Sequence, residues 1–349
     1  MAPPKAEAMR RAISLLLNGE PLPRLFITVV RYVQACDDHA VQKLLLLYLE
    51  TVDKRDAAAG RALPEMILIC QNLRNNLQSP NEYVRGATLR FLCRLAEPDL
   101  LEPLVPSVLA NLDHRHHFVR RHALSAVDAI YRRQQGDQLV PDAPELVERA
   151  LASEQDAAAR RNAFLMLLAS AQDRAVAYLL TNADRVAEWP DLLQMAAVDL
   201  ICKVCGPKGA PADKGRYIKI IISLLSAPSP AVVYECAGAL VSLSSAPTAV
   251  CAAANTYCQL LSSQSDNNVK LIILDRLHEL RASHREVMVD VVMDVLRALG
   301  SPNVDVRKKV LDLVLDLLTP RNVEEVVLYL KKEVVKTQAA EVEKGGEYR

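Results

Sequence analysis

The run Ser79-Pro-Asn-Glu-Tyr-Val-Arg-Gly-Ala-Thr-Leu-Arg-Phe-Leu-Cys-Arg-Leu95 sets Val84, Ala87, Thr88, Phe91, Leu92 and Leu95 at the three-and-four spacing of one helical face. Ser79 as N-cap, Pro80 at the first helical position and Glu82 three residues after the cap predict where this helix begins. One helix cannot bury such a stripe by itself, so the pattern demands neighbours that cover it.

Those neighbours repeat the same phrase. Aligned on Arg85, the anchor position is held by Gln42, Arg85, Arg120, Arg160, Gln194, Tyr234, Lys270 and Arg307, in steps of 43, 35, 40, 34, 40, 36 and 37 residues. An aliphatic or alanine precedes the anchor, as Val84, Val119, Val269 and Val306 do, and a small or branched apolar residue follows three later. Ser229-Pro230 and Ser301-Pro302 repeat the punctuation of Ser79-Pro80. A step of two helices plus turns predicts an all-α chain, an α-solenoid of about eight HEAT-like helical hairpins. Partner helices are expected over 99–112, 143–152, 173–186, 213–226, 247–263, 284–299 and 322–336. Ahead of the opening run, the pattern predicts an amphipathic segment over 1–21, helices over 22–35 and 63–77, and a polar loop over 53–61. Between them, the helix over 41–49 is apolar on nearly all sides. The stretch 206–215, rich in Gly and Pro, is the one loop that stands out. The expected organisation is a single elongated array over 1–336, followed by a polar linker over 337–349.

Composition agrees with helix. Of the 349 residues 51% are apolar, with only 4 Phe and 1 Trp, so the core is aliphatic and Ala-rich. Lys plus Arg equals Asp plus Glu at 42 each, which argues against a dominant surface for nucleic acid or anionic lipid. Protein partners are expected, and no nucleic acid. The apolar run Ala12–Leu17 ends at Asn18-Gly-Glu-Pro21, too short for a signal-peptide core, and no run approaches a membrane span. A cytosolic chain is expected, with its 8 cysteines reduced and packed in helices.

Three features invite a chemical reading. Cys202-Lys-Val-Cys205 has the spacing of half a zinc site, but no second pair sits nearby at matching spacing, so buried helical thiols are the preferred reading. His114-Arg-His-His117 puts three imidazoles at one turn. Arg115, Arg120 and Arg121 oppose a bound cation there, so a solvated or capping role is preferred. His278-Glu279 is a single pair where the HEAT-repeat deoxyhypusine hydroxylases carry several for a di-iron centre. No Gly-x-Ser-x-Gly, P-loop or G-x-G-x-x-G is present. No catalytic residue, cofactor or metal ligand is therefore assigned, and a non-enzymatic protein is expected.

The basic anchors Arg85, Arg120, Arg160, Lys270 and Arg307 read first as structural, each pairing with an acid or a carbonyl of an adjacent turn. In the doublets Arg120-Arg121, Arg160-Arg161 and Lys308-Lys309 the stripe does not require the extra charge. Arg121, Arg161, Lys308 and Lys309 are the candidate partner-binding residues.

Longer stretches carry a family resemblance. Asn81–Leu95, Val119-Arg-Arg-His-Ala123, Val233-Tyr-Glu-Cys-Ala237 and Ser265–Leu277 resemble the adaptin trunk family. Leu101-Glu-Pro-Leu104, Pro141–Leu146, Leu243–Ala249, Arg321–Glu325 and Leu330–Val334 narrow the likeness to its coatomer members, over about residues 8 to 336. The resemblance implies a scaffold of the COPI vesicle coat, in the cytoplasm and peripheral on Golgi membranes and coated vesicles. It further implies recruitment by an Arf-type small GTPase in its GTP form, assembly with other coatomer subunits, the delta subunit especially, and Golgi-to-endoplasmic-reticulum transport. Such members are longer, so a fragment or a truncated gene product is expected. The alternatives are other HEAT-repeat adaptors: a clathrin adaptor-like trunk, a nuclear transport receptor or a phosphatase scaffold.

Overall fold

The computed structural model describes residues 4–20, 22, 24–33, 36, 38–54, 66–206 and 213–346. Most of the loop expected over 53–61, and most of the Gly- and Pro-rich stretch 206–215, lie outside these residues. Contacts divide the chain into two units, Met1–Ala177 and Tyr178–Arg349. Among the described residues the secondary structure is helical throughout, with no strand.

The first unit begins with α1 (Pro4–Leu17), α2 (Leu25–Val33), α3 (His39–Thr51), α4 (Met66–Leu77) and α5 (Glu82–Leu92). The chain leaves α1 through Gly19, at φ +86°, where the amide of Glu20 donates to the carbonyl of Leu15 at 3.0 Å; a left-handed residue here is what glycine permits. In α3 the buried face is Val41, Leu45, Tyr48 and Leu49, whereas Leu47 is exposed, so the helix is less apolar in its setting than in its sequence.

The opening of α5 differs from its sequence reading. Asn81, not Ser79, is the N-cap: its side chain accepts from the amides of Tyr83 at 2.9 Å and Val84 at 3.4 Å. Ser79 Oγ accepts from the amide of Asn81 at 3.2 Å, one turn earlier. The same shift recurs at α20 (Val304–Asp316), where Asn303 caps and Ser301 Oγ accepts from the Asn303 amide at 3.4 Å. Only before α15 (Pro230–Leu243), where alanine follows the proline, does Ser229 stand at the cap with Pro230 in the first turn. An asparagine placed after Ser-Pro offers the better-directed acceptor and moves the helix start by two residues.

After α5 come α6 (Pro98–Leu101), α7 (Val105–Ala110), α8 (His117–Tyr131), α9 (Gly136–Leu139), α10 (Ala143–Ser153) and α11 (Ala157–Ser170). The helix expected over 99–112 is thus broken into α6, α7 and two 3-10 turns; Pro103 and Pro106 lack the amides that a continuous helix would use. The anchored helices α3, α5, α8 and α11 pack successively on one another, with α4 against α5 and α10 against α11. This layering covers the stripe of α5. Thr88, Leu89, Phe91 and Leu92 are buried, each large apolar side chain contributing about 1.5–3 kcal/mol. α12 (Gln172–Thr181) runs through the division between the units.

The second unit continues with α13 (Asp191–Val204), α14 (Lys214–Leu224), α15, α16 (Pro247–Ser263), α17 (Asn267–Ser283), α18 (Arg285–Asp290), α19 (Val292–Leu296), α20 and α21 (Val323–Gly346). α13 and α15 pack together, as do α17 and α20, while α14, α16 and α19 supply the partner helices. One apolar cluster runs from Val233 through Tyr257, Leu277 and Val295 to Val310 and Val326. The last helix extends to Gly346, through most of the stretch that polarity alone reads as a linker.

Candidate interaction surface

The anchor side chains turn back onto the chain just before their own helices. Arg85 donates from Nε to the Ser79 carbonyl, from Nη2 to the Gln78 carbonyl at 3.0 Å and from Nη1 to Asn111 Oδ1 at 3.1 Å. Arg120 donates from Nη1 to the carbonyls of His114 and Arg115, both at 2.9 Å. Its Nε and Nη2 meet the two oxygens of Glu154 at 2.7 and 2.8 Å, a bidentate pair. Gln42 donates to the carbonyls of Cys36 at 2.6 Å and Val33 at 3.2 Å, and in the second unit Gln194 donates to those of Ala187 at 3.0 Å and Val186 at 3.2 Å. A side chain with several donors at this register ties down carbonyls that the tight turn leaves without helical partners. Tyr234 departs: its hydroxyl accepts from Arg276 Nε at 3.0 Å. Arg160, Lys270 and Arg307 are half-buried. Of the aliphatic residues before the anchors, Val119 and Val306 are fully buried, whereas Val84 and Val269 are only half-buried.

The four candidate partner-binding cations fall into two kinds. Arg121 holds Asp156, with Nη2 at 3.1 and 3.2 Å from its oxygens and the Arg121 side chain 32% exposed. Lys309 Nζ reaches Asp275 Oδ1 at 2.5 Å. Lys308 is exposed on α20, and Arg161 is half-buried on α11. Arg120 and Arg121 therefore meet at one junction of the first unit, and Lys308 and Lys309 sit together in the second.

Sequence reasoning did not single out the acids that hold Arg120 and Arg121. Glu154 is buried and also accepts from the amides of Gln155 at 2.8 Å and Asp156 at 2.9 Å. Burial alone would raise its carboxyl; the Arg120 bond and these amides outweigh burial and hold it below the usual range. Asp156 caps α11, accepting from the Ala159 amide at 2.8 Å, and takes His117 Nδ1 at 3.4 Å as well as Arg121. Its position just before an Ala-rich helix was the legible signal. Asn111, also buried, spans two helices by donating to the carbonyls of Leu77 at 3.1 Å and Ser107 at 2.7 Å.

The imidazoles at this junction cap rather than gather round a metal. His116 is the N-cap of α8, its Nδ1 accepting from the Phe118 amide at 3.2 Å, and His114 Nδ1 accepts from the His116 amide at 3.0 Å. Among the described residues no group of three or more His, Cys, Asp or Glu is placed to hold a metal ion. Burial raises the thiols of Cys202 and Cys205, disfavouring the thiolate that a metal or redox site uses, and pushes Cys236 and Cys258 up to about 12. Glu279 is the salt-bridge partner of Arg276 at 2.7 Å. A groove of about 320 Å³ lies between α3 and α5, lined by His39, Gln42, Lys43, Leu46, Tyr83 and Val84 among others, with Tyr83 65% exposed. Among the described residues no helix is long and apolar enough to cross a membrane.

A profile of the adaptin N terminal region matches residues 3–345. The chain belongs to the adaptin N terminal region family. Within it, the sequence is 83% identical to coatomer subunit beta-1 of Oryza sativa subsp. japonica over 345 residues, 65% identical to coatomer subunit beta-1 of Arabidopsis thaliana over the same length, and 51% identical to coatomer subunit beta of Sus scrofa over 348. Each match takes in 99% of this chain and 36% of the relative, so the chain spans about a third of the length of these curated proteins. In fold it is similar to a chain in a homology model of the full-length AP-3 complex in an intermediate open conformation, with a TM-score of 0.73 at 15% identity over 95% of this chain and 57% of that one. The adaptin trunk is thus an α-solenoid, as the repeat step predicts.

Proposed function

We propose that this adaptin trunk is a non-enzymatic scaffold segment of the COPI vesicle coat. The observation that carries this reading is identity of 51 to 83% with coatomer beta subunits across 99% of the chain. On this reading the trunk assembles with other coatomer subunits, the delta subunit especially. An Arf-type small GTPase in its GTP form recruits it, and it acts in Golgi-to-endoplasmic-reticulum and intra-Golgi transport. It works in the cytoplasm and reaches Golgi membranes and coated vesicles through those partners. A balanced charge of 42 basic against 42 acidic residues supports protein contacts over direct binding to anionic lipid.

Arg121, Arg161, Lys308 and Lys309 remain the proposed partner-facing cations. Arg121 and Lys309 already hold Asp156 and Asp275, so a new acidic partner would compete with an internal acid at those two. Lys308 and Arg161 are the better first targets. The deciding experiment is a pull-down of the full chain on an Arf-type GTPase locked with GTP or with GDP. Retention on the GTP form alone is expected. Equal or absent retention by a chain whose helicity is intact by circular dichroism overturns the recruitment.

A further inference from the structure

We propose that the turn His114–His117 is an acid-sensitive latch, in which neutral His114 and His116 close the N-terminus of α8 by accepting backbone amides and protonation opens it. Other helices of this chain are capped by side chains that keep their acceptors near neutral pH: Asp38 at α3, Asn81 at α5, Asp156 at α11, Asp266 at α17 and Asn303 at α20. At α8 the acceptor is an imidazole nitrogen, His116 Nδ1, and the amide of His116 is itself held by His114 Nδ1. A neutral imidazole has a single acceptor nitrogen, and the imidazolium has none. One proton on each ring therefore removes the acceptors of two amides, those of His116 and Phe118, and leaves N–H facing N–H.

The surrounding charges divide between the rings. Arg85 of α5 and Arg115 of the turn oppose a proton on His114, whose pKa is lowered first by burial and then by Arg85; Asp113 adjoins it in sequence. His116 Nε2 faces Glu82 of α5 at 4.0 Å, and its ring stacks on His117 at 4.8 Å. His117 Nδ1 lies 3.4 Å from Asp156, at the N-terminus of α11, and is not one of the two nitrogens that accept the α8 amides. Arg120 and Arg121 are occupied by Glu154 and Asp156. A histidine whose folded pKa lies below its unfolded value contributes stability above about 6.5, and that stability is lost as pH falls through the folded value. His122 on α8, lowered to about 4 by burial and then by Arg90 and Arg121, has the same sign.

The latch sits where two layers meet. Phe118, whose amide His116 holds, has ring contacts to Tyr83 at 5.4 Å and His122 at 4.6 Å and packs on Gly86 of α5. Opening the cap loosens the residue that joins α5 to α8.

Amide hydrogen exchange on the full chain, expressed as protection corrected for intrinsic rate at pH 7.5 and pH 5.5, tests this. At the lower pH the amides of His116 and Phe118 are expected to lose about fivefold in protection, the equilibrium equivalent of a typical N-cap. The amides of Tyr83 and Val84, capped by Asn81, should not change. The double substitution His114→Asn, His116→Asn keeps acceptors that do not titrate and should abolish the loss, whereas His117→Gln should preserve it. If the double variant fails to fold, His116→Asp alone carries the same expectation at Phe118. Equal wild-type protection at both pH values, or an undiminished loss in the variant that removes the imidazole acceptor, overturns the latch.

Discussion

The ring of Phe118 rests on the bare backbone of Gly86: a Cβ added at Gly86 would meet Phe118 Cε1 at 2.2 Å and Cδ1 at 2.7 Å. The glycine of α5 is there for closeness, since a larger residue would hold α8 away. Gly86→Ala should gain about 1 kcal/mol in helix propensity and, with a Cβ meeting the Phe118 ring far inside contact distance, lose about 2–3 kcal/mol by overpacking, for a net loss. Thermal unfolding followed by circular dichroism should show a lower Tm, restored in part by adding Phe118→Leu. A raised Tm in the single variant would mean that the ring has room to move aside.

Arg120→Ala strands the Glu154 carboxylate, whose side chain is 3% exposed. Removing one partner of such a pair is expected to cost about 3 kcal/mol in urea unfolding at pH 7. The Glu154 pKa is lowered in the folded protein, so its contribution is present above the ordinary value of 4.5 and is lost as pH falls through the folded value. Wild type should therefore keep this contribution down to pH 4.5, and the gap to Arg120→Ala should be full at pH 7 and narrow as pH falls into the acid range, where the stranded carboxyl of the variant takes up its proton first. A gap that does not change with pH would show that the guanidinium acts mainly through the carbonyls of His114 and Arg115.

Val119→Asp and Val84→Asp separate burial from repeat position. Both valines precede an anchor, yet Val119 is 0% exposed and Val84 borders the groove between α3 and α5. Repeat position alone assigns Val84→Asp a loss of several kcal/mol. The half-buried setting lowers that to about 1–2 kcal/mol, while Val119→Asp buries an unpaired charge and should cost about 4 kcal/mol or abolish folding. Equal losses in parallel urea titrations would refute the distinction.

Arg121→Glu places a carboxylate against Asp156, so it should lower stability by about 1–2 kcal/mol despite lying at a partly exposed position. Lys308→Glu, on the exposed face of α20, should stay within about 0.5 kcal/mol of wild type. Binding assays that use these substitutions need the melting data beside them. If both were silent in unfolding, the Arg121–Asp156 contact would be structurally idle.

The recurrence of the anchor could be read from the chain because each helix carries its own period, and the register holds whatever the neighbours do. What each anchor grips could not. Arg120 finds Glu154 and Arg121 finds Asp156 in the next hairpin, yet Arg85 finds an asparagine, Asn111, and two carbonyls. The shift of the α5 cap from Ser79 to Asn81 shows that even a local signal has a competitor when two capping residues lie close together.

By itself the sequence determined the helical class, the repeat step, the apolar stripes and the family, because periodicity and long motifs are properties of contiguous residues. Only the tertiary structure decided which stripe positions are dry, which cations are already paired and with which acid, and which valine before an anchor borders a groove. Each of these depends on how near a second element comes, as Phe118 comes to Gly86, and a distance between layers is set by packing.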